Sequence, residues 1–219
     1  MELEIENISE EEALKRILSG EKELFEKIIR KYNPLLFKIG RSYGFNHEDS
    51  EDIMQDTYID IYKNLSQFHN HSSFKTWVFR IMLNNCYRKR GKFSYKNEFS
   101  KEEINENKSP MFTSSEPTFQ ETVDNKELRY LIEEALIKIP YDYRMVFTLR
   151  EMNCLSTRET ADTLQISESN VKVRLSRGKE MLKTILGKDL AIAELFGYTR
   201  VHCDPFTEKT LKDLDGINI

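Results

Sequence analysis

The sequence predicts an all-α protein in which two small helical domains are joined by a flexible acidic linker. Glycine and proline, which commonly punctuate strands, are sparse, with 8 and 5 residues in a chain of 219. Apolar residues recur instead at spacings of three and four, the period of an amphipathic helix. Between the two periodic halves, residues 98–127 show no such period and carry 8 acidic and 3 basic residues. About 30 residues of this kind are long for a loop inside one domain, so the stretch is predicted to be a linker.

In the first half, the apolar pattern predicts four helices that form one bundle over residues 20–92. Pro34 is expected to end or restart the first helix, because proline removes a backbone hydrogen bond. Gly44 and Gly91 are expected to end the second and fourth, since glycine readily adopts the left-handed conformation found there. The predicted helices cover Lys22–Tyr32, Leu35–Tyr43, a stretch from just after Asn46 to Leu65, and a stretch from Ser72 or Ser73 to Gly91.

The second half contains a pattern typical of a helix-turn-helix. Helices are predicted over Leu128–Ile139 and Tyr141–Met152. Ser156 and Glu159 then form a capping-box pattern that begins a short helix, and after a three-residue break Ser167 caps a long helix to about Leu186. A short capped helix, a turn and a longer capped helix match the motif whose second helix enters the major groove of DNA.

The helical wheel of this last helix supports the same hypothesis. Val171, Leu175 and Leu182, with Gly178, share one face that is expected to pack inward. The opposite face carries small residues flanked by basic ones, a surface that can approach base edges and phosphates. Its members are Ser169, Val173 and Ser176, with Lys172 and Arg177 beside them. The alternative is an ordinary amphipathic helix with a solvated basic face.

The fourth helix of the first half is basic. Residues 74–92 contain six lysines and arginines, no acidic residue and several aromatic side chains. Basic groups follow a phosphate backbone and aromatic rings stack on unpaired bases, which favours a single-stranded nucleic-acid surface. Trp77 and Phe74 also have the spacing of core residues, and the basic cluster from Arg88 would equally suit a helix C-terminus.

The third helix carries an acidic stripe, with Asp49, Asp52, Asp56 and Asp60 spaced 3, 4 and 4 residues apart. It could be a solvated helix face, a divalent-cation site or a docking surface for a basic partner. A straight helical row splays its oxygens, which disfavours the cation. No cofactor or metal is therefore predicted, and no nucleophile–base pair or phosphate-binding glycine loop is present.

Net charge and cysteine content exclude some classes of protein and indicate the compartment in which the protein resides. The formal net charge of −4 argues against a simple basic protein that coats nucleic acid. It is an average, since the first 12 residues hold six acidic and no basic groups and residues 98–127 add a net −5. No apolar stretch is long enough to insert into a membrane, and the acidic N-terminus does not resemble a signal peptide. Three widely spaced cysteines indicate free thiols, so the predicted location is the cytoplasm.

Two segments together resemble bacterial sigma factors of the sigma-70 superfamily. DSEDIMQDTYIDIYKNLSQF, followed by SFKTWVFRIMLNNCYRKR, is similar to their region 2. IEEALIKIPYDYRMVFTLREMNCLSTRETADTLQISESNVKVRLSRGKEMLK is similar to their region 4. Their order and spacing resemble the small extracytoplasmic-function (ECF) group. The implied domains are an acidic N-terminal segment 1–19, region 2 at 20–92, a linker 93–126, region 4 at 127–186 and a C-terminal extension 187–219.

The resemblance implies an initiation subunit of RNA polymerase that directs transcription to promoters and has no catalytic site of its own. Its implied partners are the clamp and flap of core polymerase and promoter DNA, and it allows an anti-sigma factor as a further partner. The implied polymerase-binding residues are Asp49, Asp52, Gln55 and Asp56. The implied minus-10 and melting residues are Phe68, His69, Asn70, His71, Ser72, Ser73, Arg80, Asn84, Arg88, Lys89 and Arg90. The implied minus-35 residues are Ser167, Ser169, Asn170, Lys172, Val173, Arg174 and Arg177.

Several alternatives stay open at this stage. A stand-alone helix-turn-helix regulator and a metal-dependent nuclease built on the aspartate stripe are competing functions. The acidic linker is either a simple tether or a peptide suited to a basic polymerase channel. The C-terminal extension is expected to pack on region 4, through Leu195, Phe196, Tyr198 and Phe206.

Overall fold

The computed structural model describes residues 8–97, 134–186 and 200–214, and these ranges contain helices and no strand. The all-α prediction is confirmed. None of the described helices is long and apolar enough to cross a membrane. The helices are α1 (Glu10–Leu18), α2 (Phe25–Tyr43), α3 (His47–Asn64), α4 (Phe74–Asn97), α5 (Tyr141–Phe147), α6 (Thr157–Leu164), α7 (Glu168–Leu186) and α8 (Arg200–Leu214).

The first-half bundle is built from α2, α3 and α4, which pack on one another, with α1 against α2. Its core is rich in aromatic rings, including Phe25 in edge contact with Tyr58 and Tyr62 at centroid distances of 6.4 and 5.0 Å. The buried Tyr58 hydroxyl donates to the Ile29 carbonyl oxygen at 3.0 Å and to Asn33 Oδ1 at 2.8 Å. Because this buried hydroxyl forms hydrogen bonds, it avoids the desolvation cost of about 1–3 kcal/mol that an unsatisfied buried group carries.

Two predicted helix ends are wrong. Pro34 lies inside α2, which continues unbroken to Tyr43. The buried residues on both sides of it, among them Tyr32 and Leu36, anchor α2 to the core, and this packing outweighs the lost hydrogen bond. Gly91 does not end α4, which reaches Asn97. Gly44 does end α2, in the left-handed conformation with φ of 100°.

Helix α1 was not predicted, because its acidic sequence suggested only a charged N-terminal segment. Ser9 caps it through a 3.2 Å hydrogen bond from the Glu12 amide, and three glutamates stabilise its first turn. Ala13, Leu14 and Ile17 form its buried face. Polar contacts add to this apolar face, because Glu10 accepts from the Lys31 ammonium and from the Tyr32 hydroxyl of α2.

The second-half helices are confirmed where they fall on described residues. Residues 134–138 are helical, α5 continues into a wider π-helical stretch at Thr148–Met152, and α6 and α7 form the predicted helix-turn-helix. Residues 128–133 of the predicted Leu128–Ile139 helix lie outside the described residues. Most of the predicted linker 93–126 does too, but its first five residues belong to α4, which reaches Asn97.

The C-terminal extension does not pack where it was expected. Helix α8 lies on α2 and α3 of the first domain, whereas the prediction placed the extension on region 4. Phe206 packs on Tyr58, with ring centroids 6.0 Å apart. Leu195, Phe196 and Tyr198, the other residues of that prediction, lie outside the described residues. The apolar residues that receive α8 come from distant parts of the chain, so the extension's own sequence does not reveal its site.

The two domains pack directly against each other. Two lysines of the first domain reach the end of the π-helical stretch: Lys38 Nζ donates to the Met152 carbonyl at 3.0 Å and Lys75 Nζ to the Asn153 carbonyl at 2.7 Å. Cations at a helix C-terminus are stabilising. Burial lowers the pKa of both lysines. The Thr148 hydroxyl donates to Ser42 Oγ at 2.8 Å, so the interface also contains a buried polar contact.

Gly40 sits where α2 approaches α3 and α4 most closely. A Cβ atom there would lie 3.0 Å from Ser50 Cβ and 3.3 Å from Met82 Cε. We expect Gly40→Val to lower the free energy of unfolding by about 1–3 kcal/mol, because overpacking forces these neighbours apart. Urea denaturation followed by circular dichroism measures the change. Gly91→Val is the matched control, since nothing lies within 4 Å of a Cβ at that position; equal stabilities of the two variants would contradict the prediction.

Candidate nucleic-acid interface

The acidic stripe of α3 is bracketed by basic side chains of α4. Asn46 caps the start of α3 by accepting from the Asp49 amide at 2.7 Å. Lys89 Nζ lies 2.8 Å from Asp49 and 3.3 Å from Asp52, and Arg88 lies 2.9 Å from Asp60. Lys89, which was predicted to grip the DNA backbone, therefore pairs with two residues predicted to bind polymerase. Arg88 pairs instead with Asp60, a member of the stripe that was not among the predicted polymerase-binding residues.

Part of the stripe remains accessible. The Asp52 side chain is 54% exposed, and Asp56 is exposed without an ion-pair partner at salt-bridge distance among the described residues. Partial burial, followed by the nearby Asp60 carboxylate, raises the pKa of Asp56. Among the described residues, no group of three or more His, Cys, Asp or Glu side chains could hold a metal ion. The stripe is thus a continuous acidic surface along one helix.

The loop before α4 presents polar side chains above a cluster of aromatic side chains. Phe68 packs on Phe74 and Trp77, with ring centroids 5.2 and 5.3 Å away. Ser73 begins α4 by accepting from the Thr76 amide at 3.2 Å, and Asn70 adopts a left-handed conformation with φ of 57°. His69, Asn70 and His71 are exposed, while Ser72 is half-buried. The predicted minus-10 loop is therefore held at both ends and open at its tip.

An open groove of about 650 Å³ runs along α4 beside this loop. Asn84 is exposed in it, between Trp77 and Arg88. Tyr87 also lines it and is 73% exposed. Tyr87 is one of the aromatic side chains noted in the basic helix, but it was not among the predicted minus-10 residues, although its position three residues after Asn84 on a helix was an available signal. The groove thus contains an amide, an exposed tyrosine ring, a half-buried tryptophan ring and the Arg88 cation, which is paired with Asp60 at the same groove. These groups suit a displaced base and, once Arg88 leaves Asp60, its phosphate.

The second domain covers one end of this surface. Arg80 donates to the Asp162 carbonyl at 3.1 Å from Nε and 2.7 Å from Nη2, and Ser73 Oγ donates to Glu159 at 3.4 Å. Arg90 lies over the rings of Tyr43 and Tyr141, at 5.9 and 5.8 Å from their centroids. Three of the predicted minus-10 residues thus contact the second domain or its interface, whereas Asn84 and the loop tip are exposed.

The helix-turn-helix forms as its capping residues predict. The Glu159 amide donates to Ser156 Oγ at 3.1 Å and the Ser156 amide donates to Glu159 Oε2 at 2.8 Å, which completes the capping box. This contact with the Ser156 backbone lowers the pKa of Glu159. Gln165 ends α6 in a left-handed conformation, and Ser167 caps α7 by accepting from the Asn170 amide at 3.2 Å. These caps define the turn between α6 and α7, and the buried residues Val146, Ala161 and Val171 pack the two helices on α5.

The two faces of α7 are also as predicted. Val171 and Leu182 are buried, and Gly178 allows a close approach, since a Cβ there would lie 3.3 Å from the Tyr143 carbonyl oxygen. Val173 is 49% exposed, an unusual position for a β-branched apolar residue and one that suits contact with a thymine methyl group. The other exposed members of this face are Ser167, Ser169, Asn170, Lys172 and Arg177.

Arg174 lies at the edge of that face and forms a 3.4 Å ion pair with Asp142 of α5. We expect Arg174→Ala to weaken promoter binding by about 1–3 kcal/mol if its guanidinium leaves Asp142 to contact a base. Binding of a panel of minus-35 variants by the holoenzyme measures this, because loss of a base contact removes discrimination at one position. Lys172→Ala is the comparison for a phosphate contact; uniform weakening by Arg174→Ala across the panel would contradict a base contact.

Comparisons with known proteins agree with this geometry. Residues 28–92 match the family described as Sigma-70 region 2, and residues 129–182 match Sigma-70, region 4. A probable RNA polymerase sigma factor of Haemophilus influenzae is 29% identical over 152 residues, covering 64% of this chain and 78% of that protein. The ECF RNA polymerase sigma factor SigW of Bacillus subtilis is 26% identical, covering 78% and 92%.

Solved structures share the fold. CnrH in complex with the cytosolic domain of CnrY matches with a TM-score of 0.59 and 21% identity, over 81% of this chain and 97% of that one. The sigma factor RpoE in complex with the anti-sigma factor NepR from Bartonella quintana matches with a TM-score of 0.59 and 22% identity, over 80% and 99%.

The chain belongs to the sigma-70 family, since the two family matches together span more than half of it. Within that family it is an ECF sigma factor, as the curated relatives indicate. It therefore acts in promoter-specific transcription initiation with RNA polymerase.

Proposed function

We propose that this sigma factor serves transcription through three separate surfaces. The exposed part of the α3 stripe, at Asp52, Gln55 and Asp56, docks on the polymerase clamp. The α4 groove and the preceding loop hold an unpaired base of the minus-10 element. The outer face of α7 enters the major groove at the minus-35 element.

The observation that carries this proposal is the division of surface chemistry between the helices. The exposed carboxylates of Asp52 and Asp56 lie on α3. The groove between α3 and α4 combines Asn84 and Arg88 with aromatic rings, and the Asp60 carboxylate that lines it is paired with Arg88. The face of α7 combines small residues with Lys172 and Arg177. Each surface thus complements a different partner: the α3 stripe suits a basic protein, the groove suits a flipped base and the α7 face suits duplex DNA.

The chain is proposed to contribute promoter choice and strand separation in the cytoplasm, while catalysis belongs to the polymerase. An anti-sigma factor is a further proposed partner. The structurally similar sigma factor RpoE, whose structure was determined with the anti-sigma factor NepR, supports that proposal.

Run-off transcription with core polymerase, followed by mapping of start sites across the parent genome, tests the function. We expect specific transcripts only when both the chain and core polymerase are present. Tight, sequence-specific operator binding by the isolated chain without affinity for core polymerase would instead identify a stand-alone helix-turn-helix regulator.

A further inference from the structure

Helix α8 occupies a defined groove on the first domain. Phe206, Thr207, Thr210 and Leu214 are buried, at spacings that place them on one face of α8. The opposite side, with Glu208 and other charged residues, is exposed. This helix therefore docks by an amphipathic face upon α2 and α3.

A buried polar contact specifies the register of this docking. Asn33 Nδ2 donates to Thr207 Oγ1 at 3.1 Å, while Asn33 Oδ1 accepts from the Tyr58 hydroxyl at 2.8 Å. Asn33 and Thr207 are both fully buried. A buried asparagine that is satisfied only in one alignment favours that alignment over others. The surface of α2 and α3 that receives α8 is therefore complementary to this helix in one alignment.

The last turn of α8 lies against the proposed polymerase-docking surface. Gln55 Nε2 donates to the carboxylate of Asp213, and Gln55 stands between Asp52 and Asp56 on the acidic stripe. A partner that binds across this stripe meets α8 at Gln55. Since α8 is part of the same chain, its docking is intramolecular and needs no second molecule.

We propose that α8 is a cis-acting cover of one edge of the docking surface, at Gln55, which core polymerase must displace from α3 before it can bind across the whole surface. This inference rests on the proposed function, because it assigns Gln55 to the polymerase contact. Binding is then weakened by the fraction of chains in which α8 is docked. Displacement would expose Tyr58 and Asn33 and release the contact at Gln55.

The first test releases α8 in the full-length chain. Phe206→Asp places a charge against the Tyr58 ring, and we expect core polymerase to bind this variant about tenfold more tightly than the unaltered chain. Glu208→Asp is the matched control, since Glu208 is exposed on the same helix. Affinity is measured by fluorescence anisotropy, with thermal unfolding of the variant recorded beside it.

The second test locks α8 in place and does not depend on the folding of the first variant. Gln55→Cys and Asp213→Cys are joined by a short bis-maleimide, in a chain whose Cys154 and Cys203 are replaced by serine. We expect the linked chain to bind core polymerase at least about a hundredfold more weakly than the same chain before linking. Single-cysteine chains treated with the reagent control for its attachment.

If the released, locked and unaltered chains bound core polymerase with equal affinity, the proposal that α8 covers the docking surface would be overturned, while the sigma-factor function would remain intact. Failure of every form, including the unaltered chain, to bind core polymerase would instead overturn the proposed function. The two failures are therefore distinguishable in one experiment.

Discussion

Replacing Asp52 and Asp56 together by lysine should weaken binding to core RNA polymerase by about a thousandfold. Both side chains are exposed on the acidic stripe of α3, where a basic partner would meet them. Like charges facing each other across an interface cost several kcal/mol, and about 4 kcal/mol corresponds to that factor. Affinity measured by anisotropy with labelled chain checks the result.

The matched control carries the same change in charge at another surface. Glu11 and Glu12 are exposed on α1, so Glu11→Lys with Glu12→Lys should leave binding nearly unchanged. Asp52 also pairs with Lys89, so thermal unfolding is measured for both double variants. If both bound core polymerase equally well, the docking surface would have to lie elsewhere.

Asn84→Ala should reduce open-complex formation on duplex promoter DNA by about ten- to a hundredfold. Asn84 is the exposed amide of the α4 groove, and loss of a specific amide contact to a base costs about 1–3 kcal/mol. On a template whose minus-10 region is already unpaired, the defect should be partly rescued, because the cost of flipping the base no longer has to be met. Permanganate reactivity of unpaired thymines measures opening on both templates.

Asn64→Ala is the control for this prediction. Asn64 lines the same groove, yet its Nδ2 donates to the Asp60 carbonyl of its own helix at 2.8 Å, so it is already engaged. Its removal should change opening little. Equal defects of Asn84→Ala on duplex and pre-melted templates would contradict a role in melting, although they would still allow base recognition.

Local chemistry was sufficient to predict the helix-turn-helix. Ser156, Glu159 and Ser167 cap their helices through hydrogen bonds that span three residues, and Val171 and Leu182 are buried at the predicted spacing. Such contacts lie within a few residues of one another along the chain, so the sequence alone displays them. The same holds for Gly44, which ends α2.

Contacts between distant residues were not predictable in this way. Pro34 stays within α2 because its neighbours are buried against other helices, and α8 docks through Asn33, 174 residues away from Thr207. The pairing of Lys89 with the acidic stripe likewise depends on how α3 and α4 pack. A sequence pattern shows that each of these faces exists, but the identity of its partner depends on tertiary packing.

In the closed arrangement of the two domains, the second domain reaches the proposed minus-10 surface. Arg80 contacts the Asp162 carbonyl, so one of the residues proposed to hold the minus-10 strand is engaged by the second domain. The face of α7 stays exposed while Arg80 is engaged in this way. We therefore infer that promoter recognition requires polymerase to hold both domains apart.

Footprinting of one promoter with the free chain and with the holoenzyme tests this inference. At concentrations of chain that saturate the promoter as holoenzyme, we expect protection of both the minus-35 and minus-10 elements by the holoenzyme and no protection by the free chain. Equal protection of both elements by the free chain would contradict it.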